Sequence, residues 1–103
     1  MPHLTFDDAE RERLRTGRME VSRLTFAKGT GAQLHAHPEE QVMYVVSGLL
    51  RVECGDETYD VRPGEATLNP GGMPHGVMAV EDTVCLSVKD LVVPGTEATA
   101  GDG

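Results

Sequence analysis

No apolar run in the sequence approaches the roughly 20 residues that a membrane-crossing helix requires, which argues against a helical membrane protein. Basic residues are few, nine Lys and Arg against seventeen Asp and Glu, giving a formal net charge of −8 and a pI near 4.8. Phosphate binding depends on clustered Lys and Arg, and here they are scattered, so nucleic acid is excluded as the expected partner. Cysteine is scarce too. Cys54 and Cys85 lack metal-type spacing and lie in apolar, strand-like settings, as expected for buried thiols in a reducing compartment rather than a disulfide framework. The opening residues, MPHLTFDDAERERLR, carry acids where a secretory signal would have an apolar stretch and a small-residue cleavage site, so the cytoplasm is the expected location.

What is present is one small domain. A chain of 103 residues and 11.1 kDa buries only a modest share of its surface, so a core completed by a second copy, a homodimer, is expected. Thr5 as N-cap, Asp8 three positions later and Gly17 as a stop predict at most one short helix over 5–16, inside an N-terminal extension of residues 1–18. Beyond it the helical period disappears. Short apolar or alternating runs at 19–26, 33–37, 42–46, 49–54, 58–61, 66–68, 75–80 and 83–88 predict strands. Between them lie Ser47-Gly48, Gly55-Asp56, Pro63-Gly64 and Asn69-Pro70-Gly71-Gly72, residues that preset a turn or tolerate positive φ. About eight short strands at this spacing describe a sandwich or barrel over 19–93, and the unbroken run 42–46 is expected to be buried on both faces. Residues 94–103 show no apolar pattern and are expected to form a loose tail.

The histidines carry the chemistry. His35 and His37 are two apart, so on an extended strand both side chains leave one face and can converge on one ion. Pro38 interrupts the ladder, and Gln41 opens the next run, offering a further donor across the hairpin. His75 follows a Gly-Gly-Met-Pro turn some forty residues on, where a distant strand could deliver another ligand. Residues 29–48 resemble the first motif of the cupins, G-x5-H-x-H-x3-E-x6-G, with Gly29, His35, His37 and Gly48 in place and Gln41 where that motif has Glu. Residues 64–79 resemble the second, G-x5-P-x-G-x2-H-x3-N, with Gly64, Pro70, Gly72 and His75 matched and Ala79 at the Asn position.

This resemblance implies an all-β fold, the double-stranded β-helix (jelly-roll) cupin barrel, and one divalent transition metal (iron, manganese, nickel, cobalt or zinc) on His35, His37, His75 and Gln41. With Gln41 in place of Glu, the ligands are all neutral, so the ion keeps its double charge and favours a small anionic ligand. The alternative for Gln41 is a role as a hydrogen-bonding neighbour, with water on the metal. Ala79 implies an apolar wall beside the ion.

Cupins with Gln in this slot resemble two groups, the pectin-degradation cupins that ketonise unsaturated uronates and the bacilysin-pathway isomerases. Both imply an isomerase or tautomerase acting on an oxygenated acid. The uronate pattern has Asp and Phe on the last strand and an Arg beyond it, where this chain has Ser87, Lys89 and Val93. Lys89 resembles a lysine of the bacilysin-type cupins and is a candidate for holding a carboxylate; Arg51 is a second candidate cation, with an exposed rim position as its other reading. Met43 and Val45 are expected to line the pocket as wall, Tyr44 to face away, and His3 and the pair Glu39-Glu40 to be solvated. Two other functions remain open: an iron(II) dioxygenase, since three histidines leave positions for oxygen and substrate, and a non-catalytic module that binds a small ligand or metal.

Overall fold

Alternation of inward and outward side chains, with a turn residue every few positions, produces strands throughout. The computed structural model describes residues 12–91, and every regular element among them is a strand. These are β1 (Glu12–Arg15), β2 (Met19–Phe26), β3 (Gly31–His35), β4 (Gln41–Ser47), β5 (Leu50–Cys54), β6 (Glu57–Val61), β7 (Ala66–Asn69), β8 (His75–Ala79) and β9 (Thr83–Asp90). They form two antiparallel sheets, in the orders β1-β2-β9-β4-β7 and β3-β8-β5-β6, folded over one another as a jelly roll. No helix among the described residues is long and apolar enough to cross a membrane.

The N-terminal helix expected over 5–16 is not what its described part forms. Residues 12–15 are strand β1, paired antiparallel with β2, while 5–11 lie outside the described residues, as does the tail 94–103. The reason is electrostatic and local. Glu12 sits opposite Arg23 and ion-pairs with it, and Arg15 sits opposite Glu20, so the mixed charges that could have decorated a helix serve as cross-strand pairs. The turn between them closes through Thr16, whose hydroxyl accepts from the Met19 amide at 3.0 Å.

Within a single chain the run 42–46 is buried on one face only. Met43 and Val45 point inward, whereas Val42, Tyr44 and Val46 lie exposed on the outer face of the five-stranded sheet. Inside, side chains grade from polar to apolar along the barrel. Arg15, Glu20, Lys89, Gln41 and Asn69 are register partners across all five strands, one polar row on the inner face. One step along are Ser22, Ser87, Met43 and Thr67, and the next row brings Leu24, Cys85 and Val45. The apolar end joins Leu50, Val52, Val61 and Val77 of the other sheet in the core. Burial there pushes the Cys85 thiol up to about 11, so it is inert, and Cys54 is likewise a free, buried thiol.

Gly48, at φ 91°, closes the β4–β5 turn where a Cβ would meet the Asp82 carbonyl at 2.2 Å; no other residue fits.

Candidate metal centre

The polar end of the barrel encloses a cavity of about 320 Å³ between the sheets. His35 and His75 are register partners of β3 and β8, and His37 follows two residues after His35. Strand β3 ends at His35 after a register shift beyond Ala32, earlier than the 33–37 strand expected from spacing, so His37 approaches from the link ahead of Pro38. His37 and His75 are buried while His35 is exposed. One nitrogen from each of the three rings lies within 4.8 Å of the others.

Hydrogen bonding fixes the same tautomer on all three. Nδ1 of His35 donates to the Gln33 carbonyl at 2.7 Å, that of His37 to the Glu39 carbonyl at 2.9 Å, and that of His75 to the Met73 carbonyl at 3.0 Å. A carbonyl only accepts, so each Nδ1 carries a proton, and Nε2 is the nitrogen each neutral ring would offer to an ion. Nε2 of His75 is fully buried and has no hydrogen-bond partner among the described residues. Three imidazoles, each held from behind by a carbonyl and one with a buried, unpartnered Nε2, fit a divalent transition metal.

Burial, ahead of every other influence, lowers the proton affinity of His75. The bond to Met73 works in the opposite direction, and the charges of His37, His35 and Lys89 add to the lowering. The unfolded chain therefore takes up this proton at higher pH than the folded one. Between the folded value and 6.5 the unfolded state holds more protons, so the contribution of His75 to stability is complete above 6.5 and is lost as pH falls through that window. Urea unfolding of the metal-free wild type and of His75→Asn should accordingly show a stability gap that narrows on acidification; a gap independent of pH would contradict this.

Gln41 reaches the cavity but is held by protein groups. Its Nε2 donates to Ser87 Oγ at 2.7 Å, and its Oε1 accepts from Asn69 Nδ2 at 3.2 Å, leaving one Oε1 lone pair. Ser87 and Asn69, not singled out from sequence as supports for Gln41, occupy neighbouring strands in or beside its row.

Of the two candidate cations, the fold separates one from the other. Lys89 lines the cavity, and among the described residues none lies within ion-pair distance of it. Arg51 is on the outer face of β5, where Nε donates to Asp60 Oδ1 at 2.9 Å and Nη2 to Oδ2 at 3.3 Å, so it does not face the histidines. That cross-strand bond also holds the Asp60 carboxyl below, and the Arg51 guanidinium above, its ordinary range. Met43 is cavity wall, but Val45 lies deeper in the core. Ala79 is buried at the far end of β8 and does not line the cavity, so it forms no wall beside the histidines.

Glu20 was missed from the sequence. It is buried in the cavity wall, with Arg15 Nε and Nη2 both 2.7 Å from its Oε2 and Arg13 Nη1 4.0 Å from the same oxygen. Every one of these contacts falls on Oε2. The inward parity of Glu20, Ser22 and Leu24 was legible in the alternation of 19–26, but its position beside Lys89 depends on the β2–β9 pairing. Glu39, expected to be solvated, is 1% exposed.

Residues 22–93 match the family described as "Cupin domain". No curated protein matches the sequence. Among solved structures, a conserved protein of unknown function, SPY1581 from Streptococcus pyogenes, is 28% identical, with a TM-score of 0.74 over 84% of this chain and 75% of that one. KdgF from Halomonas sp. is 24% identical, with a TM-score of 0.78 over 87% and 94%. BH2720 from Bacillus halodurans is 23% identical, with a TM-score of 0.75 over 90% and 77%. The likenesses to KdgF and BH2720 bear on the fold alone.

Proposed function

The chain belongs to the cupin family, and from that premise we propose that it is a mononuclear metal isomerase or tautomerase acting on a small keto-enol acid. The observation that carries this reading is the company the three histidines keep: one cavity also holds the Lys89 ammonium and the Glu20 carboxylate. A divalent ion on His35, His37 and His75, with Gln41 as a further ligand, would supply Lewis acidity to a substrate carbonyl. Lys89, with no ion-pair partner among the described residues, anchors the substrate carboxylate. Arg15 and Arg13 hold Glu20 by Oε2, and its Oε1 takes a proton from the carbon beside the carbonyl and returns it to the other end of the enol system, a shift that needs no oxidant. Ser87 and Asn69 keep the Gln41 amide in place.

Deuterium exchange tests this reading. Zinc-, nickel- or iron-loaded protein is mixed in D₂O with pyruvate, oxaloacetate or phenylpyruvate, and loss of the C–H signals is followed by NMR while oxygen is monitored. Exchange well above that of buffer and metal alone is expected. Glu20→Gln should slow turnover by roughly 10²–10⁴-fold, and Lys89→Met should act mainly on KM. Oxygen uptake without exchange would instead support the dioxygenase reading, which three neutral imidazoles on iron(II) also suit. Binding of these acids with neither reaction would make the protein a ligand-binding cupin.

A further inference from the structure

A buried carboxylate with no hydrogen bond requires a physical reason. Glu39 is 1% exposed, and both of its carboxylate oxygens are buried without a hydrogen-bond partner among the described residues. Its Oε1 lies 3.8 Å from Nδ1 of His37, the same nitrogen that donates at 2.9 Å to the Glu39 backbone carbonyl. One N–H thus stands between two acceptors of a single residue, on the side of the ring away from the lone pair of Nε2.

The position is enforced by the surrounding loop. The Gly72 amide donates to the His37 carbonyl at 2.8 Å, and a Cβ on Gly71 would lie 2.3 Å from the Pro38 carbonyl, so the Gly71-Gly72 turn closes directly on the segment carrying Glu39. Glu40, the next residue, is exposed.

We propose that Glu39 is the positioning residue behind His37, supplying from outside the ligand set the negative charge that Gln41 omits from within it. This rests on the reading that the three histidines bind a divalent ion. Coordination at Nε2 draws electron density from the ring and makes Nδ1–H a stronger donor. A carboxylate is then a better acceptor than a carbonyl, and the pair strengthens the grip on the metal. In the metal-free protein the same carboxylate lacks a donor and is destabilising, so its benefit arrives only with the ion.

The test is titration calorimetry with Zn²⁺ on the full chain, paired with thermal melts with and without metal, for wild type, Glu39→Gln and the exposed control Glu40→Gln. Glu39→Gln should bind Zn²⁺ about 10–100-fold more weakly, should melt no lower than wild type without metal, and should gain less from adding it. Glu40→Gln should match wild type throughout. Affinity within twofold of wild type would overturn the proposal, as would an equal loss of melting temperature with and without zinc, which would make Glu39 a packing residue only. A wild type that binds no zinc, nickel or iron would instead remove the metal reading itself. Should Glu39→Gln not fold, the wild type still decides the matter. On zinc loading the Nδ1 proton of His37 should move further downfield than those of His35 and His75, whose acceptors are carbonyls alone; equal shifts on all three would refute the proposal.

Discussion

His35→Ala should weaken the proposed binding of a divalent ion while leaving the fold intact. Of the three histidines it is the exposed one, so truncation opens no cavity, and the metal-free stability should stay within about 0.5 kcal/mol of wild type. Binding is another matter. Four-ligand zinc sites are worth roughly 10–16 kcal/mol in all, about 3 kcal/mol per ligand, so losing one should weaken affinity at least about a hundredfold. His75→Ala should be at least as severe for metal and should also lower stability, because that ring is 2% exposed and packs against both other histidines at centroid distances of 4.5 and 4.7 Å. Elemental analysis of untagged protein, with zinc titrations of both variants, checks this. Stoichiometric metal in His35→Ala would place the ion elsewhere.

Tyr44→Glu or Val42→Glu should convert the homodimer proposed below to monomers and leave the histidine cluster in place. The outer face of the five-stranded sheet carries Leu14, Val21, Val88, Val42 and Leu68 as register partners, an apolar row crossing every strand with no charge in it. Tyr44 lies one step along, paired with Leu86 and Ala66, and Val46 lies beyond it. We propose that a second copy of the chain covers this face. An uncharged apolar row beside an exposed aromatic residue, with the Glu12–Arg23 ion pair farther along the row of Tyr44 toward the sheet edge, has the composition of an interface core and its polar rim, and a stable interface needs about 800 Å² from each partner. A carboxylate in its middle would be buried unpaired in the dimer and solvated in the monomer. Sedimentation of wild type and both variants measures the outcome; a monomeric wild type at about 100 times a typical micromolar Kd would dispose of the idea.

The division between what was legible in the sequence and what was not follows the range of the forces. Strand β2 matches its expected limits, and β3 to β9 agree to within a few residues, because alternation and turn chemistry are properties of neighbours along the chain. The spacing of His35 and His37, the glycines at the turns and the inward parity of Met43 are local in the same way. The failures occurred where local signals were compatible with two partners. The charges of 12–15 suit a helix surface or a strand pair, and only the presence of Arg23 and Glu20 opposite them decided for the strand. Glu39 reads as a solvated acid until the Gly71-Gly72 turn closes over the segment that carries it.

The sequence by itself determined that the chain would form a barrel of short antiparallel strands with two histidines presented together, since a period of two residues and positive-φ turns need no tertiary information. Tertiary structure alone decided that His75 would sit opposite His35, that Glu20 would lie beside Lys89 in the cavity, and that Arg51, equally a cation on a strand, would face away toward Asp60. Strand pairing and face selection are cooperative, set by the burial of whole sheets against each other, and no single stretch of residues contains them.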